Sequence, residues 1–361
     1  MVTCPDVLLR PEARYNDTSV YELHVPQLSP RFFLISDPSA QPLLAFPETV
    51  GFDAYKALVA PTVSALNFLR DRGLGNNMDI LTILRGGLNY PLEEAAAMSG
   101  IRTSDIHFIS CERDIVDHVI KGLAIKYDKI RPKRDMVLAI GDILATGDTF
   151  GRCLDFAIDT IQKGGGSIRR FIFFTIGGTR ALRLMQRTAE RMKSLWPGFE
   201  GIDCFFYEGM FTVYTDHGAS GINVPDIDFG WQGGVVTPEF RSFVMDHPDA
   251  LYEKCIIYDG GARRYEIPVH FDEVLEYWEG ILRRSEIIDP VALTAEKLGY
   301  PTPLPFGEWK SATGFAELEQ NGLRELWKRE TALLSSAGSL SLRDLALRRI
   351  QSVKSIQTLY D

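Results

Sequence analysis

Cysteine is scarce in this chain. Its 361 residues carry five, Cys4, Cys111, Cys153, Cys204 and Cys255, widely spaced and with no Cys-x-x-Cys pair. An odd, scattered set of thiols argues against a disulfide framework or a thiolate zinc site, and for a reducing compartment. Long apolar runs are missing too: none approaches the roughly 18 residues of a membrane span. The opening residues, Met1-Val2-Thr3-Cys4-Pro5-Asp6, lack the basic-then-apolar order of a secretory leader. Positive charge is in deficit, with 39 Lys and Arg against 48 Asp and Glu, a net charge of −9 and a pI near 5.3. Bulk charge therefore points away from a nucleic-acid binder. Repeats and low-complexity segments are also absent. A soluble, cytoplasmic protein without nucleic-acid or membrane partners is expected. An acidic chain can still bind an anion locally, because a few backbone amides suffice.

What is present is an alternation. Apolar residues recur at helical spacing over 52–72, a run stopped by Gly73 and Gly75. Strands are then predicted at 79–84, 105–110, 136–140, 170–176 and 202–207. Helices are predicted at 89–98, 149–163 and 179–195. Strands alternating with helices imply crossover connections and a parallel sheet, so the fold class is α/β with helices flanking the sheet. Ligands of such sheets bind outside the carboxyl ends of the strands, which directs attention to the loops after Leu84, Ser110, Ile140 and Ile176. Four regions follow: strands and loops over 1–50 that could form a hood, a core over 51–211, a Gly- and aromatic-rich insert or lid over 212–269, and a helical extension over 270–361. Within the extension, helical spacing covers 272–284, 315–334 and 340–356.

The richest loop follows the central strand. Met136-Val137-Leu138-Ala139-Ile140 runs into Gly141-Asp142-Ile143-Leu144-Ala145-Thr146-Gly147-Asp148-Thr149, and a helix follows. A buried strand, a tight turn and a helix start together form an anion cradle: backbone amides, the Thr146 and Thr149 hydroxyls and the partial positive charge of the helix. Asp142, just upstream, is suited to accept from a sugar diol. A second signal precedes it by about 55 residues, Leu84-Arg85-Gly86-Gly87-Leu88. There, two glycines permit close backbone approach and Arg85 offers a bidentate anion donor.

These segments resemble the type I phosphoribosyltransferases, whose donor loop is an apolar strand, two acids, two apolar residues and a Thr-Gly-x-Thr/Ser ending. The Arg-Gly-Gly run is similar to the pyrophosphate loop of uracil-type members. The resemblance spans roughly residues 50–210. It implies that Ala145, Thr146, Gly147, Asp148 and Thr149 bind the 5′-phosphate of phosphoribosyl pyrophosphate and Asp142 its ribose hydroxyls. Arg85, Gly86 and Gly87 would bind pyrophosphate. Arg113 and Lys126, from a mobile charged loop, would supply further cations, with Tyr127 beside them. Mg²⁺ is the implied cofactor, held indirectly by Asp142 through ribose hydroxyls or water, and a homodimer is a common family state. One departure stands out: Gly141 replaces the first of the two acids.

The acceptor is a small nitrogen-containing, nucleobase-like molecule on this reading. Candidate contacts are Gly177, Gly178, Asp226, Asp228 and Phe229, where aromatics mixed with acids could stack on a flat base and bond its edge. Hypoxanthine-type members carry an acid where Ala145 stands, which leans the acceptor away from 6-oxopurines. Two alternatives stay open: a phosphoribosyltransferase-like module that binds the donor or a nucleotide without turnover, and a helical scaffold on a fold that has lost the site.

Overall fold

The computed structural model describes residues 7–116, 119–214, 218–222, 228–253 and 262–360. Among these residues ten strands form one sheet: β1 (Leu8–Tyr15), β2 (Thr18–His24), β3 (Arg31–Ser36), β4 (Asn77–Leu84), β5 (Arg102–Val116), β6 (Val119–Lys129), β7 (Met136–Gly141), β8 (Ile168–Gly178), β9 (Gly201–Tyr214) and β10 (Asp228–Val236). Their order is β1-β2-β3-β9-β8-β7-β4-β5-β6, with β10 added against β9. From β3 to β5 every neighbour is parallel. The pairs β1–β2, β2–β3, β5–β6 and β9–β10 are antiparallel. All six residues of β7 are buried, as expected of a central strand covered on both faces, and this is why its sequence is a continuous apolar run. The expected α/β class holds.

Helices occupy the connections and the C-terminal third. In chain order they are α1 (Gln41–Ala45), α2 (Gly51–Lys56), α3 (Val59–Arg70), α4 (Leu92–Met98), α5 (Asp148–Lys163) and α6 (Arg180–Leu195). There follow α7 (Pro238–Asp246), α8 (Ala262–Tyr265), α9 (Ile267–Arg284), α10 (Pro290–Leu298), α11 (Phe306–Ala312), α12 (Leu323–Ser336) and α13 (Leu342–Gln357). The helix predicted over 52–72 is two, α2 and α3, parted at Ala57-Leu58. Pro61 then falls in the first turn of α3, where its missing N–H costs nothing. The helix predicted over 89–98 begins only at Leu92, because Gly86–Asn89 forms a 3₁₀ turn and Pro91 caps α4. The helical run predicted over 315–334 is broken by Gly322 at positive φ, so α12 starts at Leu323.

The largest difference lies in the charged stretch after Ser110. It is expected to be a mobile loop; instead β5 continues to Val116 and pairs antiparallel with β6, with Ser110 opposite Tyr127. Glu112, Lys126, Asp128 and Lys129 stand exposed on this two-stranded ribbon at the sheet edge, where charge can face water without breaking the ladder. Outside the core, β1 to β3 extend the same sheet that holds the crossovers. The C-terminal helices meet it through contacts such as the Leu9 amide donating to the Gly314 carbonyl at 2.9 Å. Aromatic packing ties the sheet interior together: Phe205 stacks on Phe33 at 4.9 Å and on Phe174 at 5.2 Å. Removing one such ring should cost about 3–5 kcal/mol.

Candidate functional site

The two loops marked by the sequence are brought together. They follow β4 and β7, which are parallel neighbours with Leu81 opposite Ile140. The chain leaves β4 for β5 on one side, and leaves β7 for β8 and β9 on the other. That reversal opens a crevice between the two loops, the position at which open α/β sheets take ligands. Close approach explains the glycine pair: a Cβ on Gly86 would lie 2.8 Å from Asp142 Oδ1, and one on Gly87 3.2 Å from the Gly141 carbonyl oxygen. Glycine is what allows the turn to lie against the carboxylate. The Leu84–Arg85 peptide bond is cis.

The loop after β7 is pinned at its start and open at its end. The Asp142 and Leu144 amides donate to the Phe174 and Ile176 carbonyls, each at 3.1 Å, and the Gly178 amide returns a bond to Leu144 at 3.0 Å. Gly147 then turns with φ 83° and caps α5 without a side chain. Among the described residues, no hydrogen bond engages the amides of Ala145, Thr146, Gly147 or Asp148. Ala145, Thr146, Gly147 and Thr149 are half-buried, and Asp148 is exposed. A sixteen-residue helix that begins without a side-chain cap adds partial positive charge to the amides of 145–148, an arrangement suited to a phosphate monoester.

Asp142 is 8% exposed. Its carboxylate accepts one hydrogen bond, from the Ile143 amide at 2.9 Å. Burial pushes its pKa up to about 7, opposed only by that amide. A buried carboxylate with most of its lone pairs unfilled is poised to accept hydroxyl donors. The glycine beside it has a steric cause. A Cβ on Gly141 would overlap the Tyr90 Cβ and lie 2.5 Å from its Cγ. Tyr90 is buried, and its hydroxyl accepts from the Ile176 amide at 3.1 Å. The space an acid would need at 141 is filled by a tyrosine ring.

The remaining sequence candidates distribute unevenly. Arg85 sits at the glycine turn, 59% exposed, with Nη2 3.2 Å from Glu266 Oε2. Lys126 is exposed on β6, 3.6 Å from Glu112 Oε2, and Tyr127 is exposed next to it. Arg113 lies in β5 opposite Leu123, and its side chain is outside the described residues, as is all of Asp226. Asp228 opens β10, with its side chain likewise outside. Gly177 and Gly178 belong to β8, where they lie against the loop after β7: Leu144 bridges to Gly177, and a Cβ on Gly177 would lie 3.2 Å from the Leu144 carbonyl oxygen. Phe229 corrects an expectation. It is 1% exposed, packs on Phe211 at 5.8 Å and lies behind Gly178, so it is a core ring with no open face for a base. No group of three or more His, Cys, Asp and Glu able to hold a metal occurs among the described residues.

Three residues escape sequence reasoning: Tyr90, Arg264 and Glu266. Tyr90 carries no motif. Arg264 donates to the Leu88 carbonyl at 2.5 Å, and Glu266 meets Arg85 across 181 residues of chain. Only the fold could reveal either contact.

No known family pattern matches the chain, and no curated protein matches its sequence. Solved structures similar to it include the AQ2163 protein from Aquifex aeolicus, 16% identical with a TM-score of 0.33, covering 48% of this chain and 85% of that one. A purine phosphoribosyltransferase from Pyrococcus horikoshii is 16% identical with a TM-score of 0.24, covering 41% and 81%. A hypoxanthine phosphoribosyltransferase from Staphylococcus aureus is 13% identical with a TM-score of 0.27, covering 44% and 76%. Each covers less than half of this chain, and the likeness concerns the fold alone. No helix is long and apolar enough to cross a membrane among the described residues.

Proposed function

We propose that the protein transfers the phosphoribosyl group of phosphoribosyl pyrophosphate to a nitrogen acceptor, releasing pyrophosphate. The observation that carries this is the close approach of Gly86 to the Asp142 carboxylate, leaving no room for a Cβ, which sets an Arg-Gly-Gly turn beside the loop of 145–149 at the sheet's reversal point. In this reading the amides and hydroxyls of 145–149 hold the 5′-phosphate, and Asp142 accepts from the ribose hydroxyls. Arg85 and the amides of Gly86 and Gly87 hold the pyrophosphate, with Arg113 and Lys126 brought in by the β5–β6 ribbon. The acceptor nitrogen forms its bond to the anomeric carbon as the carbon–oxygen bond to pyrophosphate breaks, and the nitrogen's proton leaves to solvent. Negative charge builds on the departing group, which is where the arginine matters most. Mg²⁺, when bound, would neutralise the pyrophosphate oxygens, and Asp142 would hold it indirectly through ribose hydroxyls or water.

The acceptor is proposed to be a nucleobase-like molecule other than a 6-oxopurine, from the uracil-like glycine turn and from Ala145. A cytoplasmic location and a homodimer belong to the same proposal. The test is pyrophosphate release from the donor with Mg²⁺ across a panel of bases, beside calorimetry with ribose 5-phosphate. Arg85→Ala should slow turnover on the order of 10²-fold and leave ribose 5-phosphate affinity nearly unchanged; equal losses in both would remove Arg85 from its role. A second reading, a donor-binding module without turnover, is favoured by the tyrosine that excludes an acid from position 141. It expects donor binding with no pyrophosphate released for any base.

A further inference from the structure

The glycine turn after β4 is touched by a segment from the far side of the sequence. α8 is seated firmly: Arg263, 2% exposed, donates to the Leu43 carbonyl at 2.6 Å. Next to it, Arg264 lies over the Tyr55 ring at 4.5 Å and holds the Leu88 carbonyl, the last residue of the Arg-Gly-Gly-Leu run, at 2.5 Å. His270 at the start of α9 bonds the Pro47 carbonyl at 2.7 Å. Glu266 sits between these anchors at the cap of α9. An acidic side chain there would ordinarily serve its own helix. It makes no capping bond; its carboxylate turns instead to the Arg85 guanidinium.

We propose that Glu266 is a guard of the pyrophosphate subsite, occupying the edge of Arg85 that a pyrophosphate-bearing ligand takes. This rests on the reading of Arg85 given above. A carboxylate and a phosphate compete for the same planar fork of donors, and once phosphate arrives the two anions repel, so Glu266 must swing away. Arg264 stays on the Leu88 carbonyl and keeps the turn in place during the exchange. The guard is weak by construction. Arg85 and Glu266 are 59% and 48% exposed, and pairs this open hold their partners only slightly. A threshold of a few-fold is what such a contact can set.

The test is calorimetry on the full chain with inorganic pyrophosphate and Mg²⁺, and separately with ribose 5-phosphate. Glu266→Gln should tighten pyrophosphate about two- to five-fold and leave ribose 5-phosphate unmoved. Unchanged or weaker pyrophosphate binding would overturn the guard, as would equal tightening of both ligands, which would report general charge removal. Wild-type protein that binds neither ligand would overturn the donor-site reading itself, and the guard with it. Ribose 5-phosphate binding with no pyrophosphate effect in Glu266→Gln sinks the guard alone.

Discussion

Two buried carboxylates, one in the crevice and one in the helical third, are treated in opposite ways. Glu330 on α12 is fully buried and surrounded by donors. Arg241 grips it with Nε at 2.8 Å and Nη2 at 2.9 Å, and the Tyr300 hydroxyl and Trp309 indole each donate at 2.8 Å. Asp142 is nearly as buried and receives one backbone amide. A filled carboxylate has no capacity left for a ligand, and its work is to hold α7, α11 and α12 together. An unfilled one costs stability and keeps its lone pairs for something that arrives later. Burial is common to both. What separates the structural acid from the candidate site acid is the count of donors it already has.

Glu330→Ala should break that contrast most forcefully. It leaves the Arg241 guanidinium buried without its partner, a loss of about 3–5 kcal/mol in urea unfolding. A loss near zero would show that the cage contributes little. Asp142→Asn should act in the other direction. Its pKa is raised from 3.8 to about 7 in the folded chain, so its contribution to stability is complete below pH 4 and is lost as pH rises through 7. The asparagine variant should therefore be more stable at pH 8, by on the order of 1–3 kcal/mol, with little difference at pH 4. The same variant should bind ribose 5-phosphate poorly, whereas in the wild type the Asp142-dependent part of that affinity should grow from pH 6 to 8 as the carboxylate ionises. A stability gain without a binding loss would make Asp142 a mere defect. Smallest of all, Gly86→Ala should cost less than about 1 kcal/mol of folding, because the atom it meets at 2.8 Å is the end of a side chain. Ribose 5-phosphate affinity should fall several-fold as Asp142 is displaced, and calorimetry would detect it.

Much of the core was legible from the chain alone, for physical reasons that can be named. A strand covered on both faces, such as β7, is apolar throughout, and it reads that way. Turns that need positive φ or close approach, at Gly147 and Gly86, could be found because few residues other than glycine tolerate them. The β5–β6 ribbon was hidden because an edge hairpin can carry charge along its length, and charge reads as loop. Phe229 misled for a related reason: an aromatic among Gly and Asp looks available, and only its packing on Phe211 shows that it is not. The Tyr90 ring against Gly141 and the Glu266 carboxylate on Arg85 are long-range contacts, and no local pattern encodes them.

The fit of Tyr90 against Gly141 also binds the history of the two positions together. A mutation that placed a carboxylate at 141 alone would drive it into the ring, and one that shrank the ring alone would open a hole and leave the Ile176 amide without its hydroxyl partner. Each change is a loss by itself, so a side chain at 141 is accommodated only where the residue at 90 shrinks with it.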